Sequence, residues 1–99
     1  ELDSKDLLRL ADQVRAKLGD GGAVVLGSAG DGKAALVASF GPAAQEAGLS
    51  AAEVIRGAAA LIGGGGGGRD NVAQAGGRDP SRLGEALASA REAIESKLG

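Results

Sequence analysis

Apolar positions along the chain follow a few distinct spacings. Between residues 4 and 18, Leu7, Leu10, Ala11, Val14 and Leu18 recur at intervals of three and four, which predicts a helix with these five on one face. Asp3 or Ser4 caps its start and Gly19 ends it, while Lys5, Arg9, Asp12 and Arg15 fall on a solvated face. Two nearly unbroken apolar runs follow, Ala23-Val24-Val25-Leu26 and Ala34-Ala35-Leu36-Val37-Ala38-Ser39-Phe40. The Asp31-Gly32 pair between them suits a positive-φ turn, so the segment reads as a β-hairpin. Runs without polar alternation suit strands covered on both faces. Gly41-Pro42 stops the second strand.

A second helix is predicted over residues 49–62. Ser50 and Glu53 have the S-x-x-E capping spacing, Leu49 can staple onto Val54, and Val54, Ile55, Ala58, Leu61 and Ile62 form the apolar stripe. Six glycines, residues 63–68, then interrupt the pattern. Val72 to Ala75 reads as a short strand, and Asp79-Pro80 opens a last helix with Asp79 as cap and Pro80 at the first helical position. Leu83, Leu87, Ala90, Ile94 and Leu98 mark its core face. The predicted order is α-β-β-α, a Gly-rich loop, then β-α: a single α/β (α+β layered) domain with a small sheet and flanking helices over residues 1–99.

Composition fits one small domain and narrows the chemistry. The chain has 99 residues, 43% hydrophobic, about half of that alanine, with a net charge of −2. The core is therefore modest. With no Cys there is no thiolate nucleophile or Cys zinc site, and with no His no imidazole base or His metal ligand. Phe40 is the only aromatic residue, which excludes an aromatic platform for stacking bases. No apolar run reaches membrane-spanning length and no signal-peptide pattern opens the chain, so a soluble, cytoplasmic protein is expected. The start at Glu1 rather than Met suggests a piece of a longer protein.

Two glycine motifs need weighing. Gly27-Ser28-Ala29-Gly30-Asp31-Gly32-Lys33-Ala34 nearly spells a phosphate-binding loop, but Ala34 lacks the hydroxyl that holds magnesium, and the next residues read as a strand rather than a helix. Lys33 is read as an exposed hairpin residue. The six-glycine run satisfies a dinucleotide pattern trivially, and it follows a helix where that fingerprint requires a strand. It reads either as a flexible linker or as a ligand-contacting loop, whose bare N–H groups can approach anionic oxygens. Glycine costs about 0.5–1 kcal/mol per residue relative to alanine in regular structure, so the run and the nearby Gly76-Gly77 call for a benefit.

Gly63-Gly64-Gly65-Gly66-Gly67-Gly68-Arg69, then Ala73-Gln74-Ala75-Gly76-Gly77, then a helix opening at Asp79-Pro80, together resemble the C-terminal globular domain of alanyl-tRNA synthetase. The family pattern is G-G-x-G-G-G-R-P-x-M-A-Q-A-G-G, and the upstream helix and hairpin are similar too, so the resemblance covers essentially the whole chain. The family often carries Lys where this chain has Gly65, and Asp70-Asn71-Val72 replaces Pro-x-Met. The related accessory domain of DHH phosphoesterases ends its glycine run in His, which this chain lacks.

The resemblance implies a non-catalytic module that docks on the outer corner, or elbow, of an alanine-specific tRNA. There it supports aminoacylation and editing carried out by the rest of the parent synthetase. It implies no cofactor in this segment, with ATP, magnesium and zinc used elsewhere in the parent, and no membrane partner. Without aromatics, the outward-facing base pair of the elbow has to be met by bare backbone and guanidinium groups. The expected RNA contacts are Gly66, Gly67, Gly68, Gly76 and Gly77 by close approach, Arg69 and Arg78 by stacking or phosphate contact, and Gln74 by hydrogen bonding. Arg69 and Arg78 also read as ordinary surface charges, and Gln74 as satisfying loop backbone. An isoelectric point near 5.0 is unusual for an RNA binder. Residues 63–82 carry Arg69, Arg78 and Arg82 against Asp70 and Asp79, which predicts weak affinity and a shallow salt dependence, offset by tethering to the synthetase. The alternatives are a protein–protein interaction or homodimerisation domain and a nucleotide-binding accessory domain of a DHH phosphoesterase-like protein.

Overall fold

The computed structural model describes residues 4–19, 21–30 and 32–98. Asp3 and Asp31 lie outside the described residues, as do the side chains of Ser4 and Leu98. In chain order the elements are α1 (Ser4–Leu18), β1 (Ala23–Gly30), β2 (Lys33–Phe40), α2 (Pro42–Glu46), α3 (Ala51–Leu61), β3 (Gly64–Gly68), β4 (Val72–Gly77), a 3-10 turn (Pro80–Arg82) and α4 (Leu83–Leu98). The four strands form one antiparallel sheet in the order β1-β2-β4-β3. The expected α+β layered class is the one observed.

The sheet separates two cores. On one face Leu36, Ala38, Phe40, Ala73 and Ala75 pack with Ile55, Ala58, Ala59 and Ile62 of the α3 segment and with Ala86 and Ala90 of α4. On the other, Leu7 and Ala11 of α1 pack on Val24 and Val37. Alternation along the strands produces this division: directly opposed residues share a face, and each next residue lies on the other. Among the described residues Phe40, Leu36, Ile55, Ile62, Val37 and Ser39 are the largest fully enclosed side chains. Alanines supply much of the remaining contact, so the layers approach closely.

The local signals act as expected at several points. Gly30 pairs with Lys33, giving a two-residue connection in which Gly32 has φ +74°, the positive-φ region open to glycine. Ser50 caps α3, its Oγ accepting from the Glu53 N–H at 3.4 Å. The Asp79 carboxylate accepts from the Ser81 N–H at 3.2 Å, with Pro80 at the start of the turn that leads into α4. Lys33 is exposed at the start of β2, and the strand that follows it leaves no helix to complete a phosphate-binding loop. No helix among the described residues is long and apolar enough to cross a membrane.

Three expectations need correction. The stripe assigned to α1 divides: Leu7 and Ala11 are buried, whereas Leu10, Val14 and Leu18 are 41%, 36% and 59% exposed. Leu8, outside the predicted stripe, packs partly against the second core. The face of α1 that meets the sheet is thus rotated toward Leu8, since the helix packs mainly on β1 and β2. A short helix, α2, follows β2 where only a stop was expected, nucleated by Pro42 in its first turn. Most consequentially, the glycine run is a strand. It pairs with β4 along its whole length, which disposes of the linker reading.

One polar contact ties α1 to the sheet. The fully buried Ser39 donates through Oγ to Asp12 Oδ1 at 2.6 Å. Asp12→Ala leaves that hydroxyl without its partner, and a buried unsatisfied group costs about 1–3 kcal/mol. Urea unfolding followed by circular dichroism is expected to show a loss in that range for Asp12→Ala, a smaller loss for Ser39→Ala, and less than the sum for the double variant.

Candidate functional site

A strand of bare glycine has low intrinsic β-propensity, so its neighbours must hold it. Helix α3 does so from both ends. Its first free N–H groups, on Ala51 and Ala52, donate to the carbonyls of Asp70 and Arg69 at 2.9 and 3.2 Å, satisfying donors that the first helical turn leaves open. Ser50 Oγ donates to Asp70 Oδ1 at 2.7 Å. The same β3–β4 turn is closed by the Arg69 N–H donating to the Val72 carbonyl at 2.8 Å, and the Phe40 N–H donates to the Asn71 carbonyl at 2.8 Å. At the other end of α3, Gly63 turns the chain into β3 with φ +66°. The Asp79 N–H returns to the Ile62 carbonyl at 2.9 Å. Arg69 therefore projects from a turn fixed by backbone bonds.

The glycines of this hairpin fall into two classes. A Cβ on Gly64 would lie 1.9 Å from the Gly76 carbonyl oxygen, on Gly66 2.3 Å from that of Gln74, and on Gly68 2.5 Å from that of Val72. One on Gly77 would lie 2.2 Å from the Ile62 oxygen. These four are glycine because the β3–β4–α3 junction has no room for anything larger. Gly65 and Gly67 would meet nothing within 4 Å, and Gly76 only the Ala34 oxygen at 3.8 Å. Register places Gly65 opposite Gly76 and Gly67 opposite Gln74, so these residues share the sheet face that α1 leaves uncovered. Packing does not require these three to be bare.

Of the expected contact residues, Gly67, Gly68, Arg69 and Gln74 line one shallow depression, together with Leu8, Asn71, Val72 and Ala73. Gln74 is exposed, and its face continues to Gly76. Gly66 and Gly77 belong to the packing class instead. Arg78 is also exposed but follows β4 at its far end, about 20 Å from the Arg69 end at some 3.3 Å per residue. Arg69 and Arg78 thus flank the glycine face from opposite ends and do not converge. Gly65 joins this face without having been expected there, because nothing in a run of identical residues distinguishes it. Among the described residues, no group of three His, Cys, Asp or Glu side chains could hold a metal ion.

The DHHA1 domain family matches residues 1–96. The chain belongs to this family. The DHHA1 fold here is also similar to the crystal structure of the C-Ala domain from Aquifex aeolicus alanyl-tRNA synthetase, with a TM-score of 0.84 and 30% identity, covering 95% of this chain and 83% of that one. An alanine–tRNA ligase of Synechococcus elongatus is 51% identical over 98 residues, 98% of this chain and 11% of that protein. One of Trichodesmium erythraeum is 53% identical over 97 residues, again 98% and 11%. This DHHA1 chain therefore spans about a tenth of the length of the curated relatives it matches. The resemblance read from the glycine run and its flanks holds across the whole domain.

The two glycine classes make opposite predictions for stability. Gly66→Ala sets a methyl group against the β4 backbone and is expected to cost several kcal/mol, within the range of severe steric substitutions. Gly67→Ala is expected to change stability by less than about 1 kcal/mol in either direction, since glycine also carries extra unfolded-state entropy. Thermal and urea unfolding by circular dichroism separates the two.

Proposed function

We propose that this domain is a non-catalytic tRNA-binding module of an alanine–tRNA ligase, docking on the tRNA elbow and supporting aminoacylation and editing by the rest of the enzyme. One observation carries the reading: Gly65, Gly67 and Gly76 form a bare face on a fixed hairpin although the fold has room there for side chains. A face without Cβ atoms lets a flat base pair approach the backbone closely. Arg69, at one end of that face, is placed to stack on an exposed base or reach a phosphate, and Gln74 on its floor to hydrogen-bond a base edge or sugar. Arg78 contacts the RNA beyond the far end of β4. Catalysis, and the ATP, magnesium and zinc it uses, belong to other parts of the parent. The net charge of −2 keeps the isolated module's affinity low, and tethering to a body that already holds the tRNA raises the effective concentration.

A second reading has its own observation. Leu10, Val14 and Leu18 lie exposed on α1, and three large apolar side chains spaced four apart suit helix-to-helix association with a second copy or with the parent chain. Concentration-dependent mass in sedimentation, abolished by Leu10→Lys, supports association. A monomer at all concentrations removes homodimerisation.

The elbow reading is tested by titrating the chain into unmodified alanine-specific tRNA and into a minihelix without the elbow. Saturable binding to the full tRNA alone is expected, with no displacement by mononucleotides. Gly67→Val, which has open space in the fold, should weaken binding at least tenfold while the melting temperature stays close to that of the parent. Arg69→Ala should weaken binding more than Arg78→Ala. Equal affinity for tRNA and minihelix contradicts elbow docking.

A further inference from the structure

The sequence places Lys5 and Arg9 on a helix that precedes the glycine hairpin by more than fifty residues, where they read as solvated surface. The fold brings them beside it. Helix α1 crosses the same face of the sheet that carries Gly65, Gly67 and Gly76, and it packs mainly on the β1–β2 half. Between α1 and the open half lies a cleft of about 590 Å³ whose walls include Lys5, Leu8, Arg9 and Asp12, with Gln74 on its floor. Leu8 and Gln74 also line the adjoining depression that runs over Gly67 and Gly68 to Arg69. The two open depressions adjoin at Leu8 and Gln74 and together are termed the channel.

Its charge is opposite to that of the chain. Among the lining residues Lys5, Arg9 and Arg69 stand against one carboxylate, Asp12, which accepts the buried Ser39 hydroxyl. Asp6 and Asp70 adjoin Lys5 and Arg69 in the chain, outside that lining. Arg82 and Arg91, by contrast, lie within 3.0 Å of Glu85 and Glu95, away from this cleft. A helix stands about 10–12 Å above the surface it rests on. A base laid flat on the glycine floor therefore has its sugar–phosphate strand at the height of the α1 wall.

We propose that α1 is the phosphate-binding wall of this interface, with Lys5 and Arg9 contacting the RNA backbone beside the base that lies on Gly67 and Gln74. The assignment rests on the RNA-binding reading above and adds to it residues outside the glycine-rich segment. It also explains how a domain of net charge −2 presents a cationic surface to RNA: the positive charge is assembled by tertiary structure from α1 and the β3–β4 turn.

The test compares four forms of the chain titrated into unmodified alanine-specific tRNA over a series of salt concentrations: the parent, Lys5→Gln/Arg9→Gln, Gly67→Val, and Arg56→Gln/Lys97→Gln. The last removes the same charge from the opposite layer of the fold. Each phosphate contact contributes about one unit to the slope of log affinity against log salt. Lys5→Gln/Arg9→Gln is expected to weaken binding at low salt and to make the slope shallower by about two, with the melting curve unchanged. Arg56→Gln/Lys97→Gln should leave the slope as it is. An unchanged slope in Lys5→Gln/Arg9→Gln, with Gly67→Val still impaired, overturns the α1 wall and leaves the elbow reading standing. An equal drop in both charge variants also overturns it, because net charge then accounts for the effect. A parent that fails to bind tRNA at the lowest salt overturns both.

Discussion

The pairing of the α3 N-terminus with the β3–β4 turn is the contact on which the rest of the architecture depends. The first N–H groups of a helix need acceptors, and here the Arg69 and Asp70 carbonyls supply them. The other end of α3 runs through Gly63 directly into β3. One helix therefore holds both ends of a strand that has no side chains of its own. The strand can in turn lie close to β4, because Gly64, Gly66 and Gly68 present no Cβ to its backbone. Releasing the α3 end would leave a glycine segment with little reason to stay extended.

Much of the scaffold was legible in the sequence because its signals are local. Ser50 and Glu53 mark a helix start, Gly32 a tight turn, and Asp79-Pro80 the entry to the last helix. Each acts through neighbours a few residues away. The glycine strand was not legible for the same reason. Six identical residues carry no alternation, and the forces that extend them come from β4 and α3. The sheet-facing side of α1 was equally hidden, since Leu7, Leu10, Ala11 and Val14 satisfy one helical stripe while the width of the sheet beneath decides which are covered. In the candidate site, Arg69, Gln74 and Gly67 do lie together, but no sequence rule separates glycines that the packing demands from glycines that it merely permits.

Family membership and the geometry of the glycine face agree at the level they share. The DHHA1 match and the likeness to the C-Ala domain relate the chain to alanyl-tRNA synthetases. The bare face, with Arg69 at one end, supplies a physical reason for such a domain to meet a flat polar ligand without aromatic rings. The net charge of −2 is unevenly distributed in space. Lys5 and Arg9 come to the same side of the sheet as Arg69, while Arg82 and Arg91 are neutralised within α4 and the turn before it.

Polyglycine in solution samples many backbone conformations, and confining it upon contact with a ligand would subtract from affinity about 0.5–1 kcal/mol per residue more than confining alanine. In this fold that ordering has already occurred, since β3 is hydrogen-bonded to β4 before any ligand arrives. The hairpin is thus preorganised, and a small interface on a weakly charged domain keeps more of its contact energy as binding. Such a surface also has no side chains to rearrange over Gly65 and Gly67, so its shape is set by the backbone alone.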